Sequence, residues 1–348
     1  MAPKTRKRSS RVSAFVKLFA LLNSLMLTEV SLSVSIAARA ATCTADADVR
    51  SWMVIGDADG DTDISGAACA PDGRCLLVSD EKRRAWFFRL DETHPAAPKL
   101  IIGDKIKLNP VSGDDEADAE GAAFDSGHFY AIGSHGTSRR KKEFQASRYS
   151  VYRIEPDGTV QASAALAPLL ASIPGISEHF CTKAQARSCQ PLQEGGANIE
   201  GLAARNGNLY IGFRAPSPGG KAFIVRLAER ALFGQAGPEL QTLRIDLGQD
   251  ESGRDLGIRD IATVDDGFLI LAGPSLPEGD DAVGSGKIFH WREGDPRPRL
   301  LRELTMQDKG VKPEVLLSIG ETATTYRALV MCDGVASGLP VEYQIRKE

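Results

Sequence analysis

"NIEGLAARNGNLYIGFRA", residues 198–215, decides how the rest of the chain is read, because "DAEGAAFDSGHFYAIGSH", residues 118–135, repeats its pattern. Each copy has a short apolar run, a Gly-containing turn and a second apolar run, which is the pattern of a β-hairpin. Two more copies align with these, "DISGAACAPDGRCLLVSDE" from Asp63 and "GIRDIATVDDGFLILAGPS" from Gly257. Internal repeats set the architecture before any local assignment does.

Working outward, each hairpin is followed by a third run with an aromatic-basic pattern: "WFFRLD" from Trp86, "SVYRIE" from Ser150, "FIVRLA" from Phe223 and "IFHWRE" from Ile288. A weaker fourth run comes next, in "KLIIGDKIKL", "TVQASAALA", "LQTLRIDLG" and "RLLRELTM". Four strands per unit, with loop insertions between them, describe the blades of a β-propeller. "PEVLLSIGETATTYRALVMCDG" and "PVEYQIRKE" supply three strands of a fifth unit, and "SWMVIGD", residues 51–57, is expected to add its outer strand and close the ring. The predicted fold is therefore all-β, a propeller of five blades, or six if residues 166–197 hold a degenerate one. That segment, with "LAPLLASIPGISEHF", reads instead as a short helical insertion. A β-sandwich is the alternative, and it would not explain the repeated third strands.

The first 40 residues differ from the rest. A basic opening (Lys4, Arg6, Lys7, Arg8, Arg11), the apolar stretch "FVKLFALLNSLMLT" and the small residues Ala38 and Ala40 predict a signal peptide over 1–40, ahead of a single propeller domain over 41–348. Lys17, Asn23 and Glu29 interrupt the run, which argues against a stable membrane anchor. Removing 1–40 takes seven Lys/Arg and one Glu from totals of 42 and 46, leaving 35 against 45 and a net charge near −10. An acidic chain is a poor binder of phosphate backbones, so nucleic acid is set aside as a partner.

The six cysteines are expected to form disulfides in an exported, periplasmic or extracellular, protein. Cys69 and Cys75 flank a Pro-Asp-Gly turn, Cys181 and Cys189 are similarly close in sequence, and elimination leaves Cys43 with Cys332.

In an antiparallel blade the start of the first strand and the end of the second lie at one face. The starts bring Asp63, Ser65, Asp118, Glu120, Asn198, Glu200, Arg259 and Asp260 to the channel rim, with Glu321 expected for the fifth unit. The ends bring Asp80, Glu81, Ser134, His135, Arg214, Pro274, Ser275 and Asp333, and the following loop of the second blade adds Arg139, Arg140, Lys141 and Lys142. Carboxylates suit Ca²⁺, guanidinium groups suit phosphate or carboxylate, and a His can move protons near neutral pH. Glu120, Glu200 and His135 are the candidate catalytic residues; Arg214, Arg259, Asp260, Asp80, Arg139 and Arg140 are the candidate ligand-binding ones. The bland reading gives the Glu of each Glu-Gly pair to a neighbouring blade's backbone and leaves the basic loop solvated.

"DADGDTD" places Asp57, Asp59, Asp61 and Asp63 at alternate positions, as in a calcium loop, but Gly60 falls two positions early and no Glu stands at the twelfth. No cofactor is required by the sequence; Ca²⁺ is the one these ligands would suit. A G-x-S-x-G elbow and an H-E-x-x-H motif are both missing, which removes support for a serine hydrolase or zinc protease.

"DAEGAAFDSGHFYAIGSHGTSRRKKEFQASRYSVYRI", "NIEGLAARNGNLYIGFRAP" and "RDIATVDDGFLILAGPS" together resemble the exported bacterial proteins of domain of unknown function 3616, over roughly residues 60–335. More distantly, Glu120-Gly121 and Glu200-Gly201 look like the openings of esterase-like phytase propellers, whereas Ser65-Gly66 and Arg259-Asp260 depart from them. The expected function is binding of a small anionic ligand or a protein partner at the channel rim by a monomer. The alternative is a metal-assisted phosphoester or ester hydrolase of the phytase type.

Overall fold

Alternating apolar residues turn each run into a strand with buried faces, and in the computed structural model all the repeated runs are strands. The structure describes residues 49–58, 62–113, 115–138, 142–185, 189–234, 237, 239–277 and 283–347. The expected leader over 1–40, together with Cys43, Asp59, Asp61, Arg139, Arg140 and Lys141, lies outside the described residues.

Two short strands come first, β1 (Arg50–Ser51) and β2 (Met53–Ile55). Blade one has β3 (Ile64–Cys69), β4 (Arg74–Ser79), β5 (Arg84–Asp91) and β6 (Lys99–Lys107). Blade two has β7 (Ala119–Asp125), β8 (His128–Gly133), β9 (Val151–Ile154) and β10 (Val160–Ser163). Blade three has β11 (Asn198–Arg205), β12 (Asn208–Ala215), β13 (Lys221–Ala228) and β14 (Leu240–Asp246), and blade four β15 (Leu256–Val264), β16 (Gly267–Pro274), β17 (Val283–Trp291) and β18 (Arg299–Lys309). Blade five has β19 (Lys312–Glu321), β20 (Thr325–Asp333) and β21 (Val341–Arg346), with β1 paired to β21 as its outer strand.

Five hydrophobic cores, one per seam between consecutive blades, close the ring. Leu76, Val78, Phe129 and Tyr152 join blades one and two; Tyr130, Ile132, Ile211 and Val225 join two and three. Tyr210, Ile224, Phe268 and Trp291 join three and four, and Leu269, Leu271, Tyr326 and Tyr343 join four and five. Leu77, Trp86, Leu329 and Met331 join five back to one, which is the contact that makes the sheet series circular. The described residues of the 166–197 segment form an insertion and not a sixth blade: Leu166, Leu170, Ile173, Ile176 and Phe180 pack onto the core between blades two and three, with a helical turn at Leu166–Leu170.

Closure differs from expectation in one respect. Residues 51–57 do not form a single outer strand. Arg50 and Ser51 pair antiparallel with Glu342 and Val341 of blade five, and Met53–Ile55 run parallel to Lys99–Ile101 of blade one. Trp52 is the pivot, buried between them with its indole Nε1 donating to Glu342 Oε2 at 3.0 Å. The strap thus ties both sides of the ring's junction and covers the outer edge of blade five.

Cys69–Cys75 and Cys181–Cys189 are disulfides, the first joining directly paired residues of β3 and β4. The Cys43–Cys332 pairing involves Cys43 and so falls outside the described residues; Cys332 is buried in the core between blades four and five. Among the described residues no helix is long and apolar enough to cross a membrane.

Candidate functional site at the channel mouth

The pairing of the first two strands slips by one residue at the same place in every blade. Ile64↔Ser79 is followed by Gly66↔Val78, Ala119↔Gly133 by Gly121↔Ile132, and Ile199↔Phe213 by Gly201↔Gly212. Ile258↔Ala272 is followed by Asp260↔Leu271, and Pro313↔Cys332 by Val315↔Met331. The extra residues are Ser65, Glu120, Glu200, Arg259 and Glu314, so a β-bulge presents one polar side chain per blade at equivalent positions of the ring. Bulges re-aim a side chain at the cost of ladder bonds, and they concentrate next to functional sites.

The residue after each bulge meets the next blade. At Gly121 a Cβ would lie 2.8 Å from the Glu200 carbonyl oxygen, so a side chain has no room. In blade four this position is Asp260, which is fully buried. Its Oδ1 accepts the Ile261 amide and its Oδ2 the Leu316 amide, each at 2.8 Å, tying blade four to blade five. Asp260, expected to bind ligand, is instead a tie between inner strands. Burial raises its pKa well above the usual range, against the pull of those amides.

The guanidinium groups are already engaged. Arg214 Nη1 donates to Glu200 Oε1 at 2.8 Å and its Nε to the Pro274 carbonyl at 3.3 Å. Arg259 Nη1 lies 2.5 Å from Glu314 Oε1 and 3.3 Å from Glu200 Oε2. Arg214, Glu200, Arg259 and Glu314 therefore form one buried chain of alternating charge across blades three, four and five. In blade two Arg148 donates from Nη1 to Asp118 Oδ2 at 2.8 Å and also pairs with Glu116.

What is left over is negative. Glu120 makes no ion pair or hydrogen bond among the described residues, and Asp80 Oδ1 has no hydrogen-bond partner. Both are half-buried, held by protein yet still reached by water. Burial pushes the Glu120 carboxyl well above its ordinary range, and the charges of Asp118, Asp80, Glu200 and Glu314 push it further. Asp80 is raised likewise, by burial first and then by Asp118, Asp333, Asp63 and Glu81. Glu314 is pushed up to about 7, burial outweighing the opposing pull of Arg259. Crowding and burial disfavour the charged form of these carboxyls, and an arriving cation favours it again.

The sequence model of the family described as "Protein of unknown function (DUF3616)" matches residues 63–191 and 189–335. The chain belongs to that family. No curated protein matches it. Among solved structures, the DUF3616 chain is similar to a putative 6-phosphogluconolactonase from Bacteroides uniformis, at 10% identity over 79% of this chain and 87% of that one, with a TM-score of 0.39. It is also similar to virginiamycin B lyase from Staphylococcus aureus, at 10% identity over 84% of this chain and 98% of that one, TM-score 0.37. A putative gluconolactonase is 13% identical over 87% of this chain and 94% of that one, also with a TM-score of 0.37.

Within this DUF3616 protein the expected site residues separate into groups. Glu120, Glu200, Asp80, Arg214 and Arg259 do belong to one set of interacting charges at the mouth. His135 does not join them: its ring packs near Tyr149 and Phe180, with centroids 5.3 and 6.5 Å away, and Nδ1 lies 2.8 Å from the Gly133 carbonyl. Burial lowers its pKa to about 4, so it is neutral at physiological pH and is not a ready proton donor. Glu321, expected at the rim of blade five, lies at the far end of β19, where it pairs with Lys347. Glu314 takes its place, at a bulge equivalent to those at Glu120 and Glu200; the signal was a Glu just ahead of the small or apolar run of its unit, as in the second and third units. For the proposed calcium loop, Asp59 and Asp61 are outside the described residues, and among the described residues no three metal-ligating side chains converge.

Proposed function

We propose that this protein is an exported propeller whose channel mouth binds a small cationic ligand, such as an organic amine, through Glu120 and Asp80. The observation that supports this most directly is the surplus of carboxylate: Arg148, Arg214 and Arg259 are paired with Asp118, Glu200 and Glu314, while Glu120 makes no ion pair among the described residues and shares only the longer-range field of Arg148. An anion would have to displace those buried ion pairs, which is costly. The anionic ligand anticipated from the rim arginines is therefore replaced by a cationic one. Export rests on the basic-apolar leader and agrees with two disulfides in the described chain. Titration calorimetry with alkyl diamines, Ca²⁺ and matched anions tests the reading. Amine binding that releases protons and vanishes in Glu120→Gln is expected; binding of anions alone at this mouth would refute it, and binding of Ca²⁺ alone would move the reading to a metal site.

A second reading has its own support. Glu314, pushed up to about 7, is a carboxyl that can carry a proton at neutral pH, as general acid–base hydrolysis of an ester requires, and Glu120, raised by burial, interacts with it. Turnover of phosphomonoesters, phosphodiesters or carboxyl esters that is lost in Glu314→Gln would favour it over simple binding.

A further inference from the structure

A second charged feature lies away from the bulge ring, at the outer half of blade one. Lys82, Arg83, Arg84, Lys105 and Lys107, with Ile106, line a cavity of about 430 Å³. Five cations in one cavity are unexpected in a chain with 42 basic and 46 acidic residues. The sheet register produces the crowding. Arg84 stands directly opposite Lys107 in the β5–β6 pair, Lys105 is two residues away and so projects from the same face, and the Leu108 amide donates to the Arg83 carbonyl at 3.0 Å, which brings the β4–β5 loop alongside.

We infer that this cavity is an anion site for a small, multiply charged phosphate-type ligand. Arg supplies planar forks and Lys point charges, the pair of donors that phosphate oxygens accept most strongly. Lys82, Arg83, Arg84 and Lys105 also have partners within the chain. The incoming anion therefore exchanges with existing contacts, and affinity is expected to be moderate and to fall with salt. The site is independent of the channel mouth, whose free charge is negative.

The test is calorimetric titration of the purified protein with pyrophosphate, inorganic phosphate and sulfate, at low and raised ionic strength. One-site binding, tightest for pyrophosphate, is expected, and Lys105→Ala/Lys107→Ala should weaken it about tenfold or more. Arg84→Gln serves as a second variant should the first fold poorly. Glu120→Gln should leave pyrophosphate binding unchanged, which separates this site from the mouth. Absence of binding, or affinity unchanged from the parent in both cavity variants, overturns the proposal and leaves the patch as a solvated basic surface.

Discussion

The Tyr210 hydroxyl donates to Glu293 Oε2 at 2.7 Å, joining the second strand of blade three to the end of the third strand of blade four. Arg226, paired with Tyr210 in register, reaches the same carboxylate at 2.7 Å through Nη1. One blade earlier Tyr130 donates to Glu229 at 3.2 Å with Arg153 beside it, 3.8 Å from the same carboxylate. The basic residue of the third-strand pattern thus serves a seam between blades, at the face opposite the bulges. Burial and the Glu293 charge push the Tyr210 phenol up to about 12. Loss of the hydrogen bond to Glu293 in Tyr210→Phe should cost about 1 kcal/mol in denaturant unfolding. In a double-mutant cycle with Glu293→Gln the two losses should not add; additive losses would show that the latch carries no energy.

Glu120 is predicted to weaken the fold it serves. A carboxyl whose folded-state pKa is raised contributes its stability below the ordinary value of 4.5 and loses it as pH climbs toward the folded value. Glu120→Gln, a mimic of the protonated form, should match the parent in acid and exceed it by on the order of 1 kcal/mol at mildly alkaline pH. Unfolding curves across that range give the answer, and a variant that is less stable at every pH would mean the charge is compensated after all.

His135 has the opposite sign. Its folded pKa is depressed, so its contribution is complete above the ordinary 6.5 and disappears as pH falls through about 4. Its ring resonances should stay constant across neutral pH and titrate near 4 by NMR. A midpoint close to 6.5 would return it to the list of proton carriers.

Gly121 tests the packing of inner strands. An added methyl would meet the Glu200 carbonyl and the Leu202 side chain, both at 2.8 Å, and the carbonyl belongs to the next inner strand and cannot swing aside. Gly121→Ala should destabilise by about 1–3 kcal/mol or more. Gly73→Ala is the contrast: its cost should come from a φ of 85° and not from contact, since open space surrounds it.

The repeat in the sequence determined the blade, the hairpins and the Cys69–Cys75 pairing, because strand alternation and turn residues act over a few positions and are written there directly; the choice of five blades over six waited for the structure. It also brought Glu120, Glu200, Arg214 and Arg259 to one rim. Tertiary structure decided the rest. Whether Arg259 meets a ligand or Glu314 depends on a residue 55 positions away. Whether Glu314 or Glu321 stands at the mouth depends on which end of β19 lies there, and the one-residue slip at Glu314 then decides which way its side chain points, because a slip in a period-two strand changes the face. Trp52 divides the opening segment between two blades because a core exists there only when the ring is closed. Charge pairing, register and closure are relations between distant segments, and they take effect when the blades assemble.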